Sequence, residues 1–122
     1  MIKVKTGVQP PILVLMAALT NAFENAQLLD GVPGELVITS GSDGTHMKGS
    51  RHYDYAALDV RSKTFADDHR KLLFVQSVIR RLGDPVEVGT STGHGYQTKN
   101  GKWLGILEHM GNANEHFHFE LN

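Results

Sequence analysis

Cysteine is absent from this 122-residue chain. Its absence excludes disulfide bonds, thiolate catalysis and cysteine-based zinc sites, so histidine and carboxylate side chains remain as the strong metal ligands. An excess of positive charge is also missing, because the formal net charge is -1 at pH 7. Without a broad cationic field, the chain is not expected to bind nucleic acid through the phosphate backbone.

Long hydrophobic runs are missing as well. The apolar run at residues 12–19 is far shorter than the roughly 20 residues that span a bilayer. It lacks a cleavage site of small residues and continues at helical spacing towards Phe23. We read it as part of a buried helix and expect neither a signal peptide nor membrane insertion. Cytoplasmic synthesis is then expected, and the final location stays open.

The hydrophobic pattern predicts two helices and several short strands. Apolar residues recur at helical spacing over about 11–28 and about 65–82, where Thr64 is a candidate cap and Gly83 ends the second helix. Strands are predicted at 35–39, 56–60, 86–88, 103–107 and 116–121, with glycine-rich loops at 40–50 and 89–101. The fold class is therefore α+β: two helices packed on a largely antiparallel sheet. We expect a single domain, 1–122, and a monomer.

The last predicted strand carries two different faces. Since side chains alternate along a strand, His116, His118 and Glu120 share one face, and Phe117 and Phe119 share the other. The aromatic face is expected to join the core. The histidine face is expected to line a cleft.

Zinc in hydrolases is typically held by three imidazole or carboxylate ligands and keeps one position open. His52, Asp59 and His118 fit that requirement, with His52 at the mouth of a loop and Asp59 in the strand that follows. Glu115, three residues before His118, is the candidate general base. His116 is the candidate hydrogen-bond donor to an oxyanion.

Other interpretations of these residues remain open. Without Glu115 and His118 near the C-terminus, His52 and Asp59 would be interpreted as a structural pair at the surface or in the core. Glu108 is a competing candidate for the base. Three further histidines are expected at the surface or in the substrate cleft: His46, His94 and His109.

Two motifs resemble the family of D-alanyl-D-alanine carboxypeptidases and L-alanyl-D-glutamate peptidases, to which the Hedgehog signalling domain is structurally related. The family pattern Ser-x-His-x-x-Gly-x-Ala-x-Asp is matched at Ser50, His52, Ala57 and Asp59, and its Glu-x-x-His pattern at Glu115 and His118. Tyr55 occupies the glycine position of the first pattern. Ser42 and Asp43 stand where the family commonly has an arginine, for which Arg51 or Arg61 could substitute.

The resemblance implies a Hedgehog-like peptidase fold and a Zn²⁺ cofactor held by His52, Asp59 and His118, with Glu115 as base. It implies hydrolysis of peptide bonds in peptidoglycan stem peptides, as a carboxypeptidase or as an endopeptidase. A phage endolysin, released to the cell wall from the cytoplasm, is one form that such an enzyme takes. The alternative is a zinc-bearing binding domain or virion structural domain with the same fold and no catalysis.

Overall fold

A computed structural model describes residues 1–8, 13–40 and 56–122 of the chain. Two helices and seven strands occur in these ranges. In chain order they are β1 (Ile2–Val4), α1 (Leu13–Ala26), β2 (Leu36–Ser40), β3 (Ala57–Arg61), α2 (Asp68–Leu82), β4 (Pro85–Gly89), β5 (Gly93–Thr98), β6 (Trp103–Glu108) and β7 (His116–Leu121).

The strands form one mixed sheet in the order β1-β2-β3-β7-β6-β5-β4. Strands β1 and β2 run parallel, and every other neighbouring pair is antiparallel. The C-terminal strand β7 therefore lies in the middle of the sheet, between β3 and β6. The predicted α+β class, with two helices and a largely antiparallel sheet, is confirmed.

Both helices pack on one face of the sheet through buried phenylalanines. Phe23 of α1 lies 5.9 Å from Phe74 of α2 and 5.1 Å from Phe119 of β7, measured between ring centroids. Phe74 also lies 5.0 Å from Phe117, and all four rings are fully buried. Gly105 of β6 admits this packing, because an added β-carbon would lie 2.8 Å from the Phe119 ring.

The opposite face of the sheet carries Asp59, His116, His118 and Glu120, and we call it the open face. On β3, Leu58 and Val60 are fully buried while Asp59 between them is partly exposed, as strand alternation requires. In the described part of the chain, both helices pack on the phenylalanine side and neither packs on this face, although the side chains of Asp59, His118 and Glu120 are only 13–16% exposed. The prediction that Phe117 and Phe119 face the core while His116 and His118 face the other side is confirmed, and the cleft stays a prediction.

Several boundaries differ from the sequence predictions. Helix α2 begins at Asp68 rather than near Phe65, and Asp67 rather than Thr64 caps it by accepting a hydrogen bond from the Arg70 amide at 2.8 Å. Phe65 instead joins the core before the helix starts. Strand β1 was not predicted, and β5 falls in a segment predicted as loop. The predicted start of the first helix lies outside the described residues. Neither described helix is long and apolar enough to cross a membrane.

Candidate functional site

The open face brings Asp59 and His118 together in the middle of the sheet. Strands β3 and β7 pair so that Asp59 lies directly opposite His118. The Nδ1 atom of His118 lies 3.0 Å from Oδ1 of Asp59, and both side chains are mostly buried. Two of the three predicted metal ligands are thus adjacent, although they are distant in the sequence.

His118 also contacts a second carboxylate. Its Nε2 atom lies 2.8 Å from Oε1 of Glu120, two residues further along β7 on the same face. Burial alone would lower the pKa of His118, but the hydrogen bonds to Asp59 and Glu120 outweigh it and raise the pKa to about 9. The imidazole therefore carries a proton at neutral pH when no metal is bound, and it donates to a carboxylate from each nitrogen.

His116 lies at the edge of the same cluster. Its Nδ1 atom is 2.8 Å from the Asn114 carbonyl oxygen, and since a carbonyl only accepts, Nδ1 is the donor. Its Nε2 atom lies 3.9 Å from Oδ1 of Asp59. The ring is therefore oriented by the loop before β7 and directs its second nitrogen towards the Asp59 carboxylate.

Glu115 has different partners. Its Oε1 accepts a hydrogen bond from Ser62 at 2.6 Å and pairs with Lys71 of α2 at 2.6 Å, while its Oε2 accepts from the Gly111 amide at 2.8 Å. Only 5% of its side chain is exposed. The carboxylate thus ties the start of β7 to the helix layer, and none of these partners belongs to the Asp59–His118 pair.

These contacts also set the charge of Glu115. Burial favours the neutral acid, but hydrogen bonds from Lys71, Ser62 and Gly111 prevail and lower the pKa of the carboxyl. The pKa of Lys71 is raised, because its hydrogen bond to Glu115 outweighs the effect of burial. Both groups are therefore charged at neutral pH. Neither Ser62 nor Lys71 stood out in the sequence, since no motif marks the partners of a buried carboxylate.

The remaining predicted site residues lie in several places. His52 and His46 fall outside the described residues, as do Arg51 and Tyr55. His94 and His109 line a cavity of about 410 Å³ between the β4–β5 turn and the loop before β7. Glu108, the competing base candidate, accepts a hydrogen bond from Thr92 at 2.5 Å.

His109 links this cavity to the metal-ligand candidates. It has a positive φ of 53°, which is uncommon for a residue with a side chain. Its ring centroid lies 6.1 Å from that of His116. The cavity therefore adjoins the cluster on the open face through two neighbouring histidines, a relation that the sequence did not reveal.

The donor set of the Asp59–His118 pair fits a zinc ion. An imidazole and a carboxylate are ligand types that zinc binds. Here Nδ1 of His118 and Oδ1 of Asp59 are joined by a hydrogen bond of 3.0 Å, so both atoms would have to give up this contact to hold the ion. Within the described ranges, no group of three or more histidine or acidic side chains has the arrangement to hold a metal ion. The third predicted ligand, His52, lies beyond those ranges.

Comparison with protein-family models gave no match to this chain, and comparison with curated proteins gave no significant match.

Proposed function

We propose that the chain is a zinc-dependent peptidase that hydrolyses peptide bonds in the stem peptides of bacterial peptidoglycan. The observation that carries the proposal is the pairing of Asp59 with His118. An imidazole and a carboxylate from distant segments meet at 3.0 Å on a sheet face that the described helices leave uncovered. The two sequence motifs that resemble those of cell-wall peptidases contribute one residue each to this pair.

In this proposal His52, Asp59 and His118 hold the zinc. A bound zinc ion supplies Lewis-acid chemistry, since it polarises a carbonyl and activates water near neutral pH. Glu120 orients His118 through the hydrogen bond to its second nitrogen. His116 is the proposed hydrogen-bond donor to the substrate carbonyl; because its Nδ1 already donates to the Asn114 carbonyl, it donates from Nε2 only as the doubly protonated imidazolium.

Glu115 is the proposed general base, and its surroundings both support and limit that role. Its lowered pKa keeps it ionised, which is the form that accepts a proton. Its two oxygens, however, are engaged by Ser62, Lys71 and Gly111. It also lies on the helix side of the sheet, where it pairs with Lys71 of α2, whereas Asp59 and His118 lie on the open face. To accept a proton from water at the metal site it must therefore give up one of these contacts and turn towards the other face. If it does not, the base is His116 or Glu108.

That engagement of Glu115 favours a second candidate, a zinc-bearing domain that binds peptide without cleaving it. A binding domain needs the metal ligands but has no use for a base. A carboxylate fixed by three donors in a salt bridge between a helix and the sheet has a sufficient structural role. This candidate shares the metal site of the first and differs in turnover alone.

The experiment that separates the candidates uses purified peptidoglycan and zinc-loaded protein, with mass spectrometry of the released peptides. We expect release by the wild type and its loss in Asp59→Ala. Glu115→Gln keeps the size of the side chain and one hydrogen-bond acceptor but cannot accept a proton, so it should retain zinc and lose about 10²–10⁴-fold in turnover. If turnover falls less than tenfold while zinc stays bound, the general base is a residue other than Glu115. A wild type that binds zinc but releases no peptide supports the binding domain.

A further inference from the structure

The cavity between the β4–β5 turn and the loop before β7 has no part in the proposed metal centre. Its volume of about 410 Å³ falls within the range of roughly 300–1,000 Å³ that is typical of small-ligand sites. Its described lining comes from the turn at 90–92, the start of β5 and the loop at 109–112. The size alone permits a ligand, and the chemistry of the lining indicates which kind.

Backbone hydrogen bonds hold the two walls of this cavity together. The His109 amide donates to the Thr92 carbonyl at 2.9 Å, which joins the loop to the turn. Within the loop, the Asn112 amide donates to the His109 carbonyl at 2.9 Å. Within the turn, the Thr90 amide donates to the Gly93 carbonyl, also at 2.9 Å. The walls are therefore in place before a ligand binds, so little entropy is lost in ordering them.

Four side chains around the cavity are available to a ligand. Among the residues that the structure describes, none provides a hydrogen-bond partner for the side chains of these four: Ser91, His94, His109 and Asn112. A hydroxyl, an amide and an imidazole can each donate and accept hydrogen bonds. The hydroxyl groups of a sugar do the same. The lining therefore offers mixed donors and acceptors to a ligand that also carries both.

The charge around the cavity favours an uncharged ligand. The described lining contains no lysine, arginine, aspartate or glutamate. One carboxylate lies beside it, that of Glu108, which accepts a hydrogen bond from the Thr92 hydroxyl at 2.5 Å. A phosphate or carboxylate ligand would meet this negative charge at the wall. A cationic ligand would find the carboxylate already engaged by Thr92.

Met110 adds an apolar surface to the same cavity. Its side chain is partly buried and packs against the hydrophobic core. A thioether is polarizable and adapts to the shape of its neighbours. A sugar ring carries hydroxyls at its edge and C–H groups on its faces, and an N-acetyl group adds an amide and a methyl. Polar groups beside one methionine therefore match an N-acetylated sugar better than an inorganic ion.

Strand register places the cavity at the end of the sheet where β7 begins. Gly93 pairs with Glu108 across β5 and β6, and Glu108 pairs with His116 across β6 and β7. Since neighbouring strands are about 4.8 Å apart, the cavity lies roughly 15 Å from Asp59 on β3. An extended chain advances about 3.3 Å per residue, so about four or five residues cover this distance. A stem peptide, which is joined to a sugar at its N-terminus, has that reach.

We propose that the cavity between His94 and His109 binds an uncharged N-acetylated sugar, the part of the glycan strand to which the stem peptide is attached. The assignment rests on the proposed function and names a further part of its substrate. Ser91, Asn112 and the two histidines hydrogen-bond the hydroxyls and the acetamide, and Met110 contacts the carbon atoms. The site favours peptides that are still joined to glycan over peptides that have been released from it.

The binding test uses three small probes: tri-N-acetylchitotriose, inorganic phosphate and Nα-acetyl-L-lysine amide. The first is an uncharged N-acetylated sugar, the second an anion and the third a cation. Chemical-shift changes at the backbone amides of Ser91, His94 and Asn112 report binding at the cavity and require neither zinc nor turnover. A separate experiment with zinc-loaded protein compares hydrolysis of a disaccharide-linked stem peptide with hydrolysis of the same peptide without sugar.

We expect the chitotriose to shift these amides, and phosphate and the lysine amide to leave them unchanged. His94→Ala and Ser91→Ala/Asn112→Ala should each weaken sugar binding at least about fivefold, since each removes hydrogen bonds to the ligand. The matched control is His69→Ala, which removes an exposed histidine of α2 and should bind the sugar as the wild type does. The disaccharide-linked peptide should have a kcat/KM at least about fivefold higher than the free peptide, and His94→Ala should lose this advantage.

Phosphate or lysine amide that shifts the amides as strongly as the chitotriose would overturn the assignment, because the cavity would then recognise charge. Equal weakening in His69→Ala would overturn it too, since binding would not depend on the cavity. If the sugar binds but neither peptide is cleaved, the sugar site stands and the peptidase proposal fails. If both peptides are cleaved at the same rate and the chitotriose does not bind, the peptidase proposal stands and the sugar site fails.

Discussion

The imidazole of His118 and the carboxylate of Asp59 face each other at 3.0 Å across the β3–β7 pair. The contact depends on register, because a slip of one residue would turn His118 towards the helices and Phe117 towards the open face. The phenylalanines of β7 prevent that slip, since their rings fill the core between the sheet and both helices. The hydrophobic core therefore fixes the geometry of the candidate metal centre.

The ion pair between Lys71 and Glu115 should contribute to stability. Lys71→Met removes the cation and leaves the Glu115 carboxylate buried with fewer partners, so we expect a loss of about 2–3 kcal/mol in the free energy of unfolding. Glu115→Gln should cost less, because its amide oxygen still accepts from Ser62 and Lys71 keeps Asp68 at 3.4 Å, although the hydrogen bond from the Gly111 amide is lost. Urea denaturation measures both. Lys99→Met, at an exposed position, is the control. An equal loss of unfolding free energy in that variant would show that the ion pair does not cause the loss in Lys71→Met.

The same pair predicts how stability depends on pH. The pKa of Glu115 is lowered in the folded state, so its contribution is complete above its ordinary value of 4.5 and is lost as pH falls through the folded value. The pKa of Lys71 is raised, so its contribution is complete below 10.5 and is lost as pH rises through the folded value. The stability difference between wild type and Glu115→Gln should thus be constant between these limits and shrink in acid. A difference that grows as pH falls below 4 would contradict the assigned shift.

Metal binding should raise the melting temperature. Asp59 and His118 lie on different strands and come together only in the folded chain, so we expect zinc to bind the native state in preference to the unfolded one. Free zinc at 100 times its dissociation constant would add about 2.7 kcal/mol of stability. Thermal unfolding followed by circular dichroism, with and without a chelator, measures the effect. The melting temperature of the Asp59→Ala variant should not depend on zinc. A wild-type melting curve that is unchanged by complete metal removal would show that metal binding is not coupled to folding.

Much of the fold followed from local patterns in the sequence. The alternation in 115–121 correctly separated the phenylalanine face from the histidine face, and helical spacing correctly located α1 and α2. Strand β5 was missed because Gly93 and Gly95 interrupt its hydrophobic pattern, and β1 because three residues carry too little pattern. The start of α2 was misplaced because Thr64 and Asp67 are both acceptable caps, and only Asp67 reaches the Arg70 amide.

The candidate site was predictable only in part. Motif spacing indicated that Asp59 and His118 belong together, and the sheet register brings them into contact. The spacing gave no sign that Lys71 and Ser62 would engage Glu115, since these contacts depend on how α2 and the end of β3 pack near the start of β7.

The most direct test of the proposed metal centre is the zinc content of purified protein, measured by mass spectrometry after removal and return of the metal. We expect about one zinc per chain in the wild type and in the control His69→Ala, which changes an exposed histidine on α2. His52→Ala, Asp59→Ala and His118→Ala should each lose most of it, since removal of one ligand of three sharply lowers affinity. Near-stoichiometric zinc retained in all three variants would contradict the proposed metal centre.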